Sequence, residues 1–180
     1  LAKKSGADAV KFQSYITEEL IDKKYKKWFK RYKIKEVNYN FLKKLKDYSK
    51  KKKIDFLCTP HSETALSWVN KLKVPIIKVG SGELGNFEFL KKIIKLKKPI
   101  IVSTGMHDLN DLKKLLSFFQ INNYNKVSFL RCITRYPTKN NEVNLSSFKQ
   151  FRKIFKKYEV GYSDHSDNDL GILGSIVLGA

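Results

Sequence analysis

Acidic residues are scarce in this chain: 17 Asp and Glu stand against 37 Lys and Arg in 180 residues, a formal charge of +20. A surface this basic opens three readings, namely nucleic acid, an anionic membrane surface, or small anionic substrates. The lysines cluster at Lys23–Lys35, Lys43–Lys53, Lys91–Lys98 and Lys149–Lys157, interleaved with apolar residues at helical spacing such as Phe41, Leu42, Leu45 and Tyr48. That interleaving reads as solvated helix faces rather than as a nucleic-acid site. Cysteine is scarce too. Cys58 and Cys132 form neither a disulfide framework nor a zinc spacing and read as small core residues, so a reducing cytoplasm is the expected compartment. Long apolar runs are missing. The longest, Ile172 to Ala180, is interrupted by Gly174 and Gly179 and falls short of the roughly 18 residues a membrane span needs. Leu1 to Gly6 carries no stretch of signal-peptide type. A Walker loop is also absent, which removes one common nucleotide-binding signature.

What is present is an alternation. Short β-branched runs at 9–13, 54–58, 76–79, 99–102, 127–132 and 158–162 read as strands. Between them, amphipathic stretches at about 38–52, 62–72, 86–97, 108–120 and 145–157 read as helices, with another beginning near Asn168. Ser62, Asn86 and Asp108, the last with Asp111 three residues on, read as N-caps. Strand–helix alternation at this spacing means right-handed βαβ units and a parallel sheet. The segment 18–38 reads as a long charged connection carrying Trp28 and Tyr32.

The polar residues sit at or just after the C-terminal end of nearly every strand. That distribution favours a TIM (β/α)8 barrel, in which every βα loop feeds one site, over a doubly wound sheet with a single switch point. The strand ends offer Lys11 and Gln13; Thr59 and His61; Lys78, Ser81 and Glu83; Ser103; Arg131, Thr134 and Tyr136; and Ser163, Asp164 and His165. Lys11 and Lys78 stand inside apolar runs, so each is expected to point into a polar cavity or meet an anion, since an unpaired buried ammonium is very costly. Two such cations suit a phosphate or carboxylate. The Gly80-Ser-Gly82 turn can offer N–H groups and a hydroxyl to the same anion. Glu83 can serve as a general acid or base, and His165 as a metal ligand or proton shuttle. His61 and His107 read as loop histidines.

Taken together, Gly6-Ala-Asp-Ala-Val-Lys-Phe-Gln13, Lys78-Val-Gly-Ser-Gly-Glu83, Lys98-Pro-Ile-Ile-Val-Ser-Thr-Gly-Met106, Tyr136-Pro-Thr138 and Gly161-Tyr-Ser-Asp-His165 resemble the N-acetylneuraminate (sialic acid) synthase family, which includes legionaminic and pseudaminic acid synthases. The resemblance implies a barrel that condenses phosphoenolpyruvate with an N-acetylated aldose, N-acetylmannosamine or a related amino sugar, to a nine-carbon 2-keto acid and phosphate. It implies a divalent metal, Mn2+ or Mg2+, and a homodimer in the full-length protein. Residue by residue, it implies that Lys11, Thr59, Lys78, Ser81, Ser103 and Ser163 bind phosphoenolpyruvate. Gln13 joins the substrate-binding set, and Tyr136 lies near the sugar. Glu83 lies near the reacting carbons and His165 holds the metal. Thr134 stands where members often carry Asn or Ser, and His61 where they often carry Phe. The resemblance further implies that the chain is an incomplete barrel, about strands 2 to 7. A first strand, a last strand and a C-terminal antifreeze-like domain are not among its 180 residues, so the piece alone is expected to be unstable or inactive. A Schiff-base aldolase using Lys11 or Lys78, and a nucleic-acid-binding module, are the competing classes.

Overall fold

Strands and helices alternate as the apolar pattern predicts. The computed structural model describes residues 1–180. The strands are β1 (Ala9–Ser14), β2 (Asp55–Pro60), β3 (Ile77–Val79), β4 (Ile100–Ser103), β5 (Val127–Cys132) and β6 (Glu159–Ser163). The helices are α1 (Thr17–Leu20), α2 (Lys26–Lys35), α3 (Tyr39–Lys51), α4 (Glu63–Lys71), α5 (Phe87–Ile94), α6 (Leu109–Ile121), α7 (Leu145–Ile154) and α8 (Leu170–Val177). No helix is long and apolar enough to cross a membrane. The chain divides into two compact units, Leu1–Lys78 and Val79–Ala180.

In the first unit β1 and β2 pair in parallel from Ala9↔Asp55 to Ser14↔Pro60, and β2 meets β3 at Cys58↔Ile77. Strand side chains alternate between faces. Val10, Phe12, Phe56 and Cys58 therefore share the face covered by helices, where the Phe12 and Phe56 rings stack at 5.5 Å. Helix α3 starts where the Asn38 side chain accepts the Phe41 N–H, and α4 where Ser62 accepts that of Ala65. Leu42 and Ser49 form the buried stripe of α3. Phe41 and Tyr48 are exposed, contrary to the helical-spacing reading, because they lie one residue before each member of that stripe. The ammonium of Lys52 instead covers the Tyr48 ring.

The connection 18–38 is not irregular. It holds α1 and α2, tied down by Glu36, whose carboxylate accepts the Thr17 N–H at 2.8 Å and the Lys33 ammonium at 3.1 Å. Lys33 also reaches Glu18, and Tyr15 donates its hydroxyl to the Tyr32 carbonyl. Helix α2 has no buried residue and no side-chain cap, which is why its period is hidden in the sequence.

In the second unit β4, β5 and β6 pair in parallel through Ile100↔Val127 to Ser103↔Leu130 and Ser128↔Glu159 to Cys132↔Ser163. Val127 and Phe129 face the helices. Phe129 is fully enclosed, with the Phe155 ring stacked at 4.0 Å and Phe119 and Tyr158 edge-on at 5.5 and 5.4 Å. Asp108 and Asp111 close a reciprocal capping box at the start of α6, as the sequence predicts. Helices α3, α4, α5 and α6 are each followed by a left-handed residue, Lys53, Lys73, Lys97 and Asn123, all with φ between 50° and 56°. None is glycine, so each reversal is made at a conformational cost of about 1 kcal/mol or more.

Candidate active site

The first unit gathers four of the expected residues on one sheet face. Register places Lys11 beside Leu57 and Gln13 beside Thr59. Lys78 follows Ile77, which shares the helix-covered face with Cys58, so Lys78 turns to the Leu57 and Thr59 side. Lys78 is 8 % exposed and Thr59 1 % exposed. The Thr59 Oγ1 is buried without a hydrogen-bond partner in the protein. A hydroxyl in that condition carries a penalty of about 1–3 kcal/mol until something bonds to it.

Lys11 departs from expectation. Its side chain is exposed, as is that of Gln13, because β1 pairs with β2 alone. Its ammonium is nevertheless crowded enough by protein for desolvation to lower its pKa, an effect partly offset by the charge of the Cys58 thiol group. Both cysteines are free and buried, as the sequence reading has it.

The second unit builds a tighter cluster. Ser81 and Glu83 lie in a single 3-10 turn after β3, and the Ser81 hydroxyl accepts the Gly105 N–H at 2.9 Å. Gly105 must be glycine for space: a Cβ there would lie 2.4 Å from Thr134 Oγ1, 3.1 Å from Cys132 Sγ and 3.2 Å from Ser81 Oγ. Ser103 and Ser163 share the sheet face of Cys132. The Tyr136 ring lies on the His165 ring at 4.0 Å, and the Tyr136–Pro137 peptide is cis. The Ile133 carbonyl lies 2.7 Å from His165 Nδ1, so that nitrogen carries the proton. His165 Nε2 is then the lone-pair nitrogen, receiving the Tyr136 hydroxyl at 3.1 Å.

This geometry tests His165 as a metal ligand. A carbonyl on one ring nitrogen that directs the other toward a metal is the usual support of a ligating histidine, and here a metal on Nε2 would displace the Tyr136 hydroxyl. His165 fits as one ligand. No group of three or more His, Cys, Asp or Glu side chains converges to complete a metal site within the chain. Glu83 is placed less decisively, since its Oε2 accepts the Asn86 side-chain amide at 2.8 Å, a helix-start contact. The sequence reading misses Gly105 and the Ile133 carbonyl. The Ser-Thr-Gly run after β4 was the available signal for the first; a backbone carbonyl leaves none.

Parallel strands each followed by a helix, with hydroxyls, lysines and a histidine at their C-terminal ends, define a (β/α)-barrel enzyme scaffold. The chain belongs to the NeuB family, whose model it matches over residues 1–180. It is 39 % identical to an uncharacterized protein of Methanocaldococcus jannaschii over 99 % of this chain and 52 % of that protein. It is 36 % identical to the N,N'-diacetyllegionaminic acid synthase of Campylobacter jejuni over 100 % of this chain and 58 % of that enzyme. Among solved structures it superposes on the N-acetylneuraminic acid (sialic acid) synthetase of Leptospira borgpetersenii, in complex with citrate, with a TM-score of 0.92 and 27 % identity, covering 99 % of this chain and 62 % of that one. The chain spans about half the length of the curated relatives it matches.

Proposed function

We propose that the protein carrying this chain condenses phosphoenolpyruvate with an N-acetylated amino sugar to give a nine-carbon 2-keto acid and phosphate. The observation that carries the reading is the buried pair on one sheet face, the Lys78 ammonium and the unbonded Thr59 hydroxyl. A cation and a waiting hydroxyl suit an oxyanion. The NeuB membership and the names of the synthases above support the same substrate class.

In this reading Lys11, Thr59, Lys78, Ser81, Ser103 and Ser163 bind phosphoenolpyruvate, Gln13 belongs to the substrate-binding set, and Tyr136 lies near the sugar. Carbon 3 of the enol attacks the aldehyde carbon, water adds at carbon 2, and phosphate leaves with cleavage of its bond to carbon. Glu83 moves the proton between water and the new hydroxyl. A bound Mn2+ or Mg2+ would supply Lewis-acid polarisation of the aldehyde. His165 Nε2 is the ligand this chain offers it, and the carbonyl of Ile133 holds the ring in the coordinating tautomer. The free buried cysteines suit a reducing cytoplasm, and the reading includes a homodimer.

The assay is phosphate release by the full-length protein. It should require both substrates, stop with EDTA, and place oxygen-18 from labelled water in the keto acid rather than in phosphate. Label in the phosphate would overturn the mechanism. The lowered pKa of Lys11 favours one other reading, a Schiff-base aldolase, because a neutral amine is the nucleophile there. Borohydride trapping of pyruvate on Lys11, with activity that survives EDTA, would establish that alternative.

A further inference from the structure

We propose that the second unit carries a separate site for a small oxyanion, built around Arg131 between α6 and α7. The cavity adjoins the cluster described above, sharing Gly105, Cys132 and Ile133 with it, but strand alternation turns Arg131 itself to the other face. Arg131 follows Phe129 by two residues, so it leaves β5 on the helix-covered face, whereas Cys132 turns to the opposite one. Its guanidinium lines a cavity of about 380 Å³ whose other walls include His107, Leu112, Ser147 and Phe151. That volume lies at the small end of ligand pockets and suits a phosphate ester or a carboxylate rather than a nucleotide.

The guanidinium is partly buried and lacks a counter-ion. Its Nε donates to Ser147 Oγ at 3.1 Å and Nη1 donates to the Cys132 carbonyl, and no carboxylate lies within ion-pairing distance. An arginine has five N–H donors and stays charged in proteins. Donors beyond these two bonds remain on a partly desolvated cation that lines the cavity, a costly arrangement that an anion relieves.

Two acids also line the cavity, but both are committed elsewhere. Asp108 accepts the Asp111 N–H as the cap of α6. Glu142 takes the Arg135 guanidinium on one oxygen and the Lys139 N–H on the other. On the same wall the Nδ1 of His107 is buried without a partner, and burial lowers the pKa of that ring, leaving it neutral and able to donate one hydrogen bond. The apolar side chains of Leu109, Leu112 and Ile154 offer a flank for the ligand's carbon skeleton.

The test is titration calorimetry of the purified full-length protein with inorganic phosphate and, separately, with acetate, at constant ionic strength. A Lys78→Met background weakens the strand-end site, so that the effects of the Arg131 and Gln150 variants report on the cavity. One of the two anions should bind, the tighter one telling a tetrahedral from a planar ligand. Arg131→Met should weaken it by at least about tenfold, the scale of a lost charged hydrogen bond. Gln150→Glu, which keeps the guanidinium and adds a carboxylate to the wall, should weaken it comparably and decides the matter if Arg131→Met does not fold. Binding of neither anion, or affinities unchanged in both variants, overturns the proposal.

Discussion

Replacing Thr59 by valine should make the ligand-free protein more stable and the ligand-binding protein worse. Thr59 is 1 % exposed, and its Oγ1 has no hydrogen-bond partner in the protein. Valine has nearly the same shape and puts a methyl where the hydroxyl stands. Removing an unsatisfied buried hydroxyl returns about 1–3 kcal/mol. For a domain of this length, a gain of about 2 kcal/mol raises the melting temperature by roughly 4–8 °C. Binding moves the other way. A hydroxyl donating to a charged oxyanion contributes about 1.5–3 kcal/mol, so phosphoenolpyruvate should bind Thr59→Val roughly 10- to 100-fold more weakly. Thermal melts with and without phosphoenolpyruvate read both quantities at once, because a ligand that binds only the folded state raises the midpoint by mass action. Thr59→Ser separates the hydroxyl from the methyl. It should lose stability through the small cavity left behind yet keep most of the ligand-induced shift. If ligand-free Thr59→Val melts at or below the wild type, the hydroxyl is satisfied within the fold and the reasoning fails.

Three further outcomes follow from geometry elsewhere. Burial pushes the Cys58 thiol from 9.0 up to about 11, against the Ser14 hydrogen bond and the Lys11 charge. The unfolded chain then loses that proton near pH 9 while the folded chain keeps it, so stability should fall between about pH 9 and 11, by up to about 3 kcal/mol. Cys58→Ala should flatten the pH dependence of the urea midpoint over that window, and an unchanged slope would refute the assignment. Gly105→Ala forces a Cβ against Thr134, Cys132 and Ser81, which should cost about 1–3 kcal/mol. Adding Thr134→Ala should recover part of it, so a double-mutant cycle with no coupling would show that the crowding is relieved elsewhere. Asp108→Ala removes the α6 capping box and should lower the urea-unfolding free energy by about 1 kcal/mol.

The strands were legible because each is a short, nearly unbroken apolar run, and the caps because Ser62, Asn86 and Asp108 precede their helices directly. Helix ends were harder. The sequence places the end of α5 near residue 97, yet it stops at Ile94, and the reversal is made by Lys97 in the left-handed region rather than by a glycine that would announce it. Helix α2 was read as a connection because its lysines point all round and no side chain caps it. Its order comes from Glu36, a carboxylate that meets residues as distant as Thr17, and no local pattern encodes such a contact.

The same alternation that made the strands readable also decides what each polar residue can do. In β3 the apolar neighbours Ile77 and Val79 are both buried and lie on the opposite face from Lys78. A shift of one residue would turn the lysine into the helix layer and the two aliphatic side chains to the face of Thr59, so register is held by the cost of burying an unpaired charge among helices. The residue count therefore separates two arginine and lysine roles that composition merges. Lys78 shares a face with the hydroxyl of Thr59, whereas Arg131, two residues beyond the enclosed Phe129, faces the helices and the cavity between α6 and α7. Reading Arg131 as one more strand-end residue overlooked that parity, although Phe129 carried the signal. Both cations follow from the +20 imbalance, but most of that charge lies on solvated helices. What gives these two chemical meaning is the strand face that removes them from water.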